Sequence, residues 1–170
     1  GIDLLAFLKD VLPKKRKRDG KDGQEVPVLD VFVNTHPHND HLCGIKELRE
    51  GLIIESVWHS GHKPGPEHDG PYQELQALIK DVEKAKGKVV ALKGSRTATT
   101  FGKAEIHVVS PAQYVVDDVA DEKPGDRYKR IHEQCAVMRI GYGDDKAKAR
   151  ILITGDSDKT AWKDHITAYH

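Results

Sequence analysis

The sequence predicts an α/β fold on three observations. The run 26–34 (VPVLDVFVN) is rich in β-branched residues and reads as a buried strand. Tyr72, Leu75, Leu78, Ile79, Val82 and Ala85 recur on one face of a helical repeat, with charges opposite. Further strand-like runs at 52–58, 89–92, 104–109, 135–142 and 150–154 alternate with helical stretches instead of forming one block. A chain of 170 residues, 38% hydrophobic and 32% charged, can bury a core as one domain spanning 1–170.

In chain order, 2–12 (IDLLAFLKDVL) has apolar residues at helical spacing, and Pro13 closes it. Lys14-Lys15-Arg16-Lys17-Arg18 and the following Asp19-Gly20-Lys21-Asp22-Gly23 read as an exposed loop, although five basic residues in a row would also suit a phosphate grip or a nuclear address. After the strand at 26–34, 42–50 predicts a short helix and 52–58 (LIIESVW) a second strand. The Gly/Pro/His-rich stretch 59–71 predicts an irregular loop, and 72–86 a helix closed by Gly87. Then come a strand at 89–92, a polar loop at 93–100 and a strand at 104–109 ended by Ser110-Pro111. His107 alternates with apolar neighbours in that strand and reads as an outward or interstrand residue, not a ligand. Weak periodicity over 113–130 predicts a long loop with a helical turn, covering the site. The runs 135–142 and 150–154 pair as a hairpin across Gly143-Asp144-Asp145-Lys146, and 158–169 ends the chain as a helix capped by Ser157 or Asp158.

The chemistry concentrates in 35–41 (THPHNDH). His36, His38, Asp40 and His41 occupy six consecutive positions just past a predicted strand, where extended backbone sends alternate side chains to one side. Three imidazoles and a carboxylate suit zinc, manganese or iron. Four ligands are too many for one tetrahedral ion with an open position, so two ions are expected, His36 and His38 on one, Asp40 and His41 on the other. Accidental clustering in a chain with ten histidines is the competing reading. His59 and His62, in a loop that follows a strand, are candidates for substrate contact or proton transfer, or are surface histidines.

Composition excludes several classes. No apolar run approaches the ~20 residues of a membrane-spanning helix, and no signal-peptide pattern opens the chain. Lys+Arg and Asp+Glu balance at 27 each, so global charge selects no partner. Cys43 and Cys135 make no disulfide framework and read as small buried residues sooner than ligands; a reducing cytoplasm is the expected compartment. No G-x-S-x-G motif is present, and Cys43 is poorly placed as a nucleophile.

THPHNDHLCG resembles the H-x-H-x-D-H signature of the metallo-β-lactamase superfamily, and 151–156 (ILITGD) resembles its apolar strand ending in T-G-D. His132, 24 residues before Asp156 and followed by Cys135 and a strand, stands where that family's middle ligand falls. THPHNDH, 106–111 (IHVVSP) and ILITGD are most similar to the ComEC-like branch, which is associated with DNA uptake and nuclease activity, and in which the middle histidine is often absent. The resemblance implies an αββα sandwich of two face-to-face sheets with helices outside. It implies metal ligands at His36, His38, Asp40, His41, His132 and Asp156. Asp156 would bridge two divalent ions, zinc first and manganese or iron next, and Asp40 would hold the second ion and orient the attacking hydroxide. The family's opening strands and its last histidine, often written H-H-G-S, are not found between Gly1 and His170; an incomplete domain with a second site that stands empty is expected.

The expected function is metal-dependent hydrolysis of a phosphodiester in a nucleic acid or nucleotide. A thioester or lactam hydrolase, and a catalytically incomplete module used for binding or assembly, are the alternatives. No interleaving of aromatic and basic residues stands out to favour nucleic acid, and nothing indicates an oligomeric state.

Overall fold

The strand predicted at 26–34 is broken at exposed Asp30 in the computed structural model, which describes residues 3–16, 25–95, 97–111, 122–144 and 148–167. Strands β1 (Lys14–Arg16) and β2 (Glu25–Leu29) pair antiparallel, and β2 pairs in parallel with β4 (Ile53–Ile54). Beyond the break, β3 (Phe32–Asn34), β5 (Ser56–His59) and β6 (Lys88–Ala91) run parallel in the order β3-β5-β6. The Glu55 N–H donates to the Leu29 carbonyl at 3.0 Å, which joins the two ladders into one surface. A second sheet, β7 (Thr99–Phe101), β8 (Ala104–Ser110), β9 (Val137–Tyr142) and β10 (Ala149–Ile153), is antiparallel in the order β10-β9-β8-β7.

Apolar faces decide how these layers stack. Val31, Val33, Trp58, Val90 and Leu92 from the first sheet's side pack with Ile106, Val108 and Ala136 from the second, so the sheets lie face to face. On the first sheet's other face, Ile54 and Val57 meet Leu42, Ile45 and Leu52 around α2 (Ile45–Gly51), and Leu75, Leu78 and Val82 of α3 (Asp69–Lys84). Helix α1 (Leu4–Val11) adds Leu5, Leu8 and Leu12 to this layer, and the Asp3 carboxylate caps it by accepting the Ala6 N–H at 3.0 Å. Helix α4 (Pro124–Glu133) anchors through fully buried Ile131. The last helical turns, Ala161–Ile166, are capped by the Asp158 carboxylate, which accepts the Ala161 N–H at 2.9 Å. This mixed α/β architecture agrees with the predicted fold class.

Four local expectations are corrected. Lys14–Arg16 is strand, not loop, because the edge of β2 accepts its backbone, in register Lys14 with Pro27 and Arg16 with Glu25, and the Lys15 ammonium meets the Glu55 carboxylate. The rest of that basic run lies outside the described residues. The end of the Gly/Pro/His-rich stretch is regular: Pro66–His68 forms a 3-10 turn and α3 begins at Asp69, where Pro71 needs no hydrogen-bonded N–H in the first turn. Thr99–Phe101, read as the end of a polar loop and its flank, is a strand because β8 offers it an edge. Pro124–Glu133 is a helix where mostly loop was expected, with Pro124 in its first turn and Ile131 packed inward; of the preceding loop, residues 112–121 lie outside the described part. No helix among the described residues is long and apolar enough to cross a membrane.

Candidate metal centre

The loop after β3 is pinned from both ends. Buried Asn34 donates through Nδ2 to the His36 carbonyl at 2.8 Å, and the Thr35 carbonyl accepts the Ala136 N–H at 2.9 Å, tying the loop to the start of β9. Pro37 lies fully buried between two buried imidazoles, His36 and His38. The chain then turns through the 3-10 segment Asn39–His41, with the His41 N–H donating to the His38 carbonyl at 3.1 Å. This geometry sends three imidazoles toward one region: the ring centroids of His36 and His41 are 4.1 Å apart, and those of His36 and His38 are 4.7 Å apart.

Two distant elements complete the region. Helix α4 brings His132, whose Nε2 lies 3.1 Å from His38 Nδ1. Nitrogens sharing a tetrahedral ion at zinc distances would be about 3.3 Å apart, so this pair already has the spacing of two ligands on one cation. Beyond β10 the chain turns at Gly155 with φ +51, which places Asp156 among the rings. A Cβ at Gly155 would lie 2.3 Å from Cys135 Sγ, so only glycine fits. Asp156 Oδ2 is 3.7 Å from both His36 Nε2 and His132 Nε2, whereas Oδ1 is 3.1 Å from His41 Nε2. Two sets of ligand atoms, His36/His38/His132 and His36/His41/Asp156, each close within 4.8 Å; His36 is common to both, and the Asp156 carboxylate of the second set faces His132 of the first through Oδ2.

The ring nitrogens favour cation binding. His36 Nε2 is buried and has no hydrogen-bond partner among the described residues, a costly state unless a cation takes the lone pair. Its Nδ1 lies 3.3 Å from Thr35 Oγ1 and 3.4 Å from Cys135 Sγ; when Nδ1–H donates there, Nε2 keeps its lone pair directed at the cluster. Burial, then the neighbouring His41, lowers the His36 pKa to about 3. Burial, then His68, lowers that of His38 to about 4. Both rings are therefore neutral at physiological pH, the form that ligates. Cys135 is buried, which pushes its thiol up to about 11; it stays protonated and accepts the Asp156 N–H at 3.3 Å.

The remaining sequence candidates fall elsewhere. Asp40 lies in neither set: its side chain is 73% exposed, with Oδ2 3.4 Å from His41 Nε2 at the rim. His59 and His62 line a cavity of about 150 Å³ with Asn34, Ser60, Tyr72 and Gln76, and belong to neither set. Buried His62 lies 3.4 Å from the Arg130 guanidinium through Nδ1, and burial lowers the His59 pKa. His107, on β8, meets the Ser95 carbonyl and Arg139. Cys43 is exposed, which differs from its expected burial, and its thiol donates to the Asp40 carbonyl at 3.5 Å.

Two residues escaped sequence reasoning. His68 stacks on one side of the His38 ring at 4.5 Å and 27°, and its Nδ1 accepts the Asn39 N–H at 3.2 Å. Tyr128 stacks against His38 at 4.7 Å and 9°, and meets His132 edge-on at 4.3 Å. Tyr128 and His132 stand four apart on α4, an i, i+4 pair that a helical reading of this segment would have exposed. His68 sits in a stretch without periodicity and carried no such signal.

A family profile described as the metallo-β-lactamase superfamily matches residues 12–161, and the chain belongs to that superfamily. Membership implies a metal-dependent hydrolase. No curated protein matches the chain.

Proposed function

We propose that this member of the metallo-β-lactamase superfamily hydrolyses a phosphodiester, in a nucleic acid or nucleotide, at a centre of two divalent cations. The observation that carries the reading is the position of Asp156, with Oδ2 toward His36 and His132 and Oδ1 toward His41. His36, His38 and His132 would hold one cation; His41 and Asp156, with Asp40 at the edge, would hold the other. The donors are nitrogen and carboxylate oxygen, which fits zinc first, with manganese or iron next. When bound, such cations lower the pKa of water toward about 7 and offset charge developing on oxygen. The chain's own part is to keep His36 and His38 neutral and dry, to orient the His36 ring from behind through Thr35 and Cys135, and to hold Asp156 by a backbone N–H. Asp40, exposed at the rim, is free to accept a hydrogen bond from an incoming water.

The diester preference rests on the wording of THPHNDH, IHVVSP and ILITGD, which resembles the ComEC-like branch. A thioester or lactam substrate is the alternative within the same chemistry. The exposure of Asp40 supports a second reading, a binding module whose second cation site is incomplete. Metal analysis and turnover separate the three. Two equivalents of cation with hydrolysis of bis-p-nitrophenyl phosphate support the diesterase. Thioester turnover without diester turnover removes it, and one equivalent or none without turnover favours the module.

A further inference from the structure

The candidate metal centre has an aromatic wall that no part of the hydrolytic chemistry requires. The His38 ring is held between two others, His68 at 4.5 Å and Tyr128 at 4.7 Å. His68 is anchored by the Asn39 N–H and is largely buried, so it reads as a brace for the ligand ring. Tyr128 differs. One of its faces covers His38 at an interplanar angle of 9°, its flank meets His132, and it is still 48% exposed. A ring covered on one face and that exposed offers its opposite face to solvent.

That free face is held rigidly. Helix α4 is docked by fully buried Ile131. The Glu122 carboxylate, just before the helix, accepts from Arg130 Nε at 2.7 Å and Arg130 Nη2 at 2.9 Å, which ties the entry of the helix to its last turn. Tyr128 therefore stands as a fixed aromatic plane beside two nitrogens only 3.1 Å apart that would hold a cation. A phosphoryl group seated at the cluster would carry its substituents past this plane. Planar aromatic groups gain most from such a surface, because stacking on an immobile ring costs little ordering.

We infer that Tyr128 is a substrate-positioning residue whose outer face stacks a nucleobase attached to the scissile phosphodiester. The inference rests on the diesterase reading and adds the class of substituent recognised. Two substrates with one leaving group test it: the p-nitrophenyl ester of thymidylate and methyl p-nitrophenyl phosphate, assayed on the metal-loaded protein. Tyr128→Leu raises KM for the thymidylate ester about 10-fold, the order expected for one stacked base, leaves kcat within about 2-fold, and spares the methyl ester. Tyr128→Phe, which keeps the plane and loses the hydroxyl, behaves as wild type. In calorimetry, thymidylate binds Tyr128→Leu about 10-fold more weakly and inorganic phosphate binds unchanged.

Equal losses on both esters, or a fall in cation content of Tyr128→Leu, overturn the inference and make Tyr128 a brace for His38. No change on either ester also overturns it. Wild-type turnover of the methyl ester without thymidylate binding removes Tyr128's role but leaves the diesterase. Turnover of neither ester by the metal-loaded wild type removes the diesterase and, with it, the inference that rests on it.

Discussion

Cys135 Sγ lies 3.4 Å from His36 Nδ1, behind the ring, while the ring's other nitrogen faces the cluster without a hydrogen-bond partner among the described residues. The same sulfur accepts the Asp156 N–H at 3.3 Å. One buried thiol therefore supports both the imidazole common to the two ligand sets and the carboxylate of the second. Losing a partner behind a ligand typically weakens metal affinity about 10 to 100-fold. Cys135→Val is expected to weaken zinc binding by that order in competition with a chelating dye, with the protein still folded by circular dichroism. Unchanged affinity would show that Thr35 alone orients the ring.

Gly155 is the tightest backbone position near the site. A Cβ there meets Cys135 Sγ at 2.3 Å and Thr35 Cβ at 3.1 Å, and φ is +51. Gly155→Ala is expected to lower stability by about 2 kcal/mol or more, from left-handed strain plus the clash, and to displace Asp156. Adding Cys135→Ala removes the sulfur contact but not the strain, so the double variant recovers only part of the loss. Denaturant unfolding of the four proteins measures this coupling. Strict additivity would mean that the two residues do not press on one another.

Cation removal is expected to lower the melting temperature. A cation that binds only the folded state at 1,000 times its Kd contributes about 4 kcal/mol, and a domain of this size shifts roughly 2–4 °C per kcal/mol, so loaded and chelated protein should differ by about 10 °C. His36→Ala, which removes a nitrogen common to both ligand sets, should abolish the difference. Equal melting curves with and without zinc in the wild type would argue against a built metal centre.

The Glu122 carboxylate, almost fully buried against Arg130, has its pKa lowered first by the Arg130 hydrogen bond. A carboxylate whose folded-state pKa is depressed contributes stability that is present above its unfolded value of about 4.3 and fades as pH falls toward the folded value. Wild type should exceed Glu122→Gln in stability near pH 7, and the gap should close on acidification below about pH 4. A gap independent of pH would assign the effect to packing. Urea midpoints across that range decide between them.

The basis for the donor cluster lies in sequence spacing. His36, His38 and His41 stand within six residues after a β-branched strand, and a chain leaving a strand through a tight turn must keep such neighbours together. The α/β class was equally readable, because periodicities of 2 and 3.6 are local properties. Local rules failed where a neighbour supplied the structure. Lys14–Arg16 and Thr99–Phe101 are strands because an adjacent edge pairs with them, and Pro124–Glu133 is a helix because its few apolar residues meet a core the sequence does not display.

Motif resemblance pointed to His132 and Asp156; what only the tertiary structure decided is how closely such distant residues meet that loop, and how each is turned toward it. His132 lies 94 residues from His38 in the chain and 3.1 Å from it in space; Asp156 turns Oδ2 to His36 and His132 and Oδ1 to His41; Asp40, four positions from His36, stays at the rim. Tyr128 and His68 clasp His38 from segments with no recognisable motif. Spacing along the chain fixes what a short loop can gather. Closing a site over it depends on long-range packing, in which the face a side chain presents is set by the burial of its neighbours.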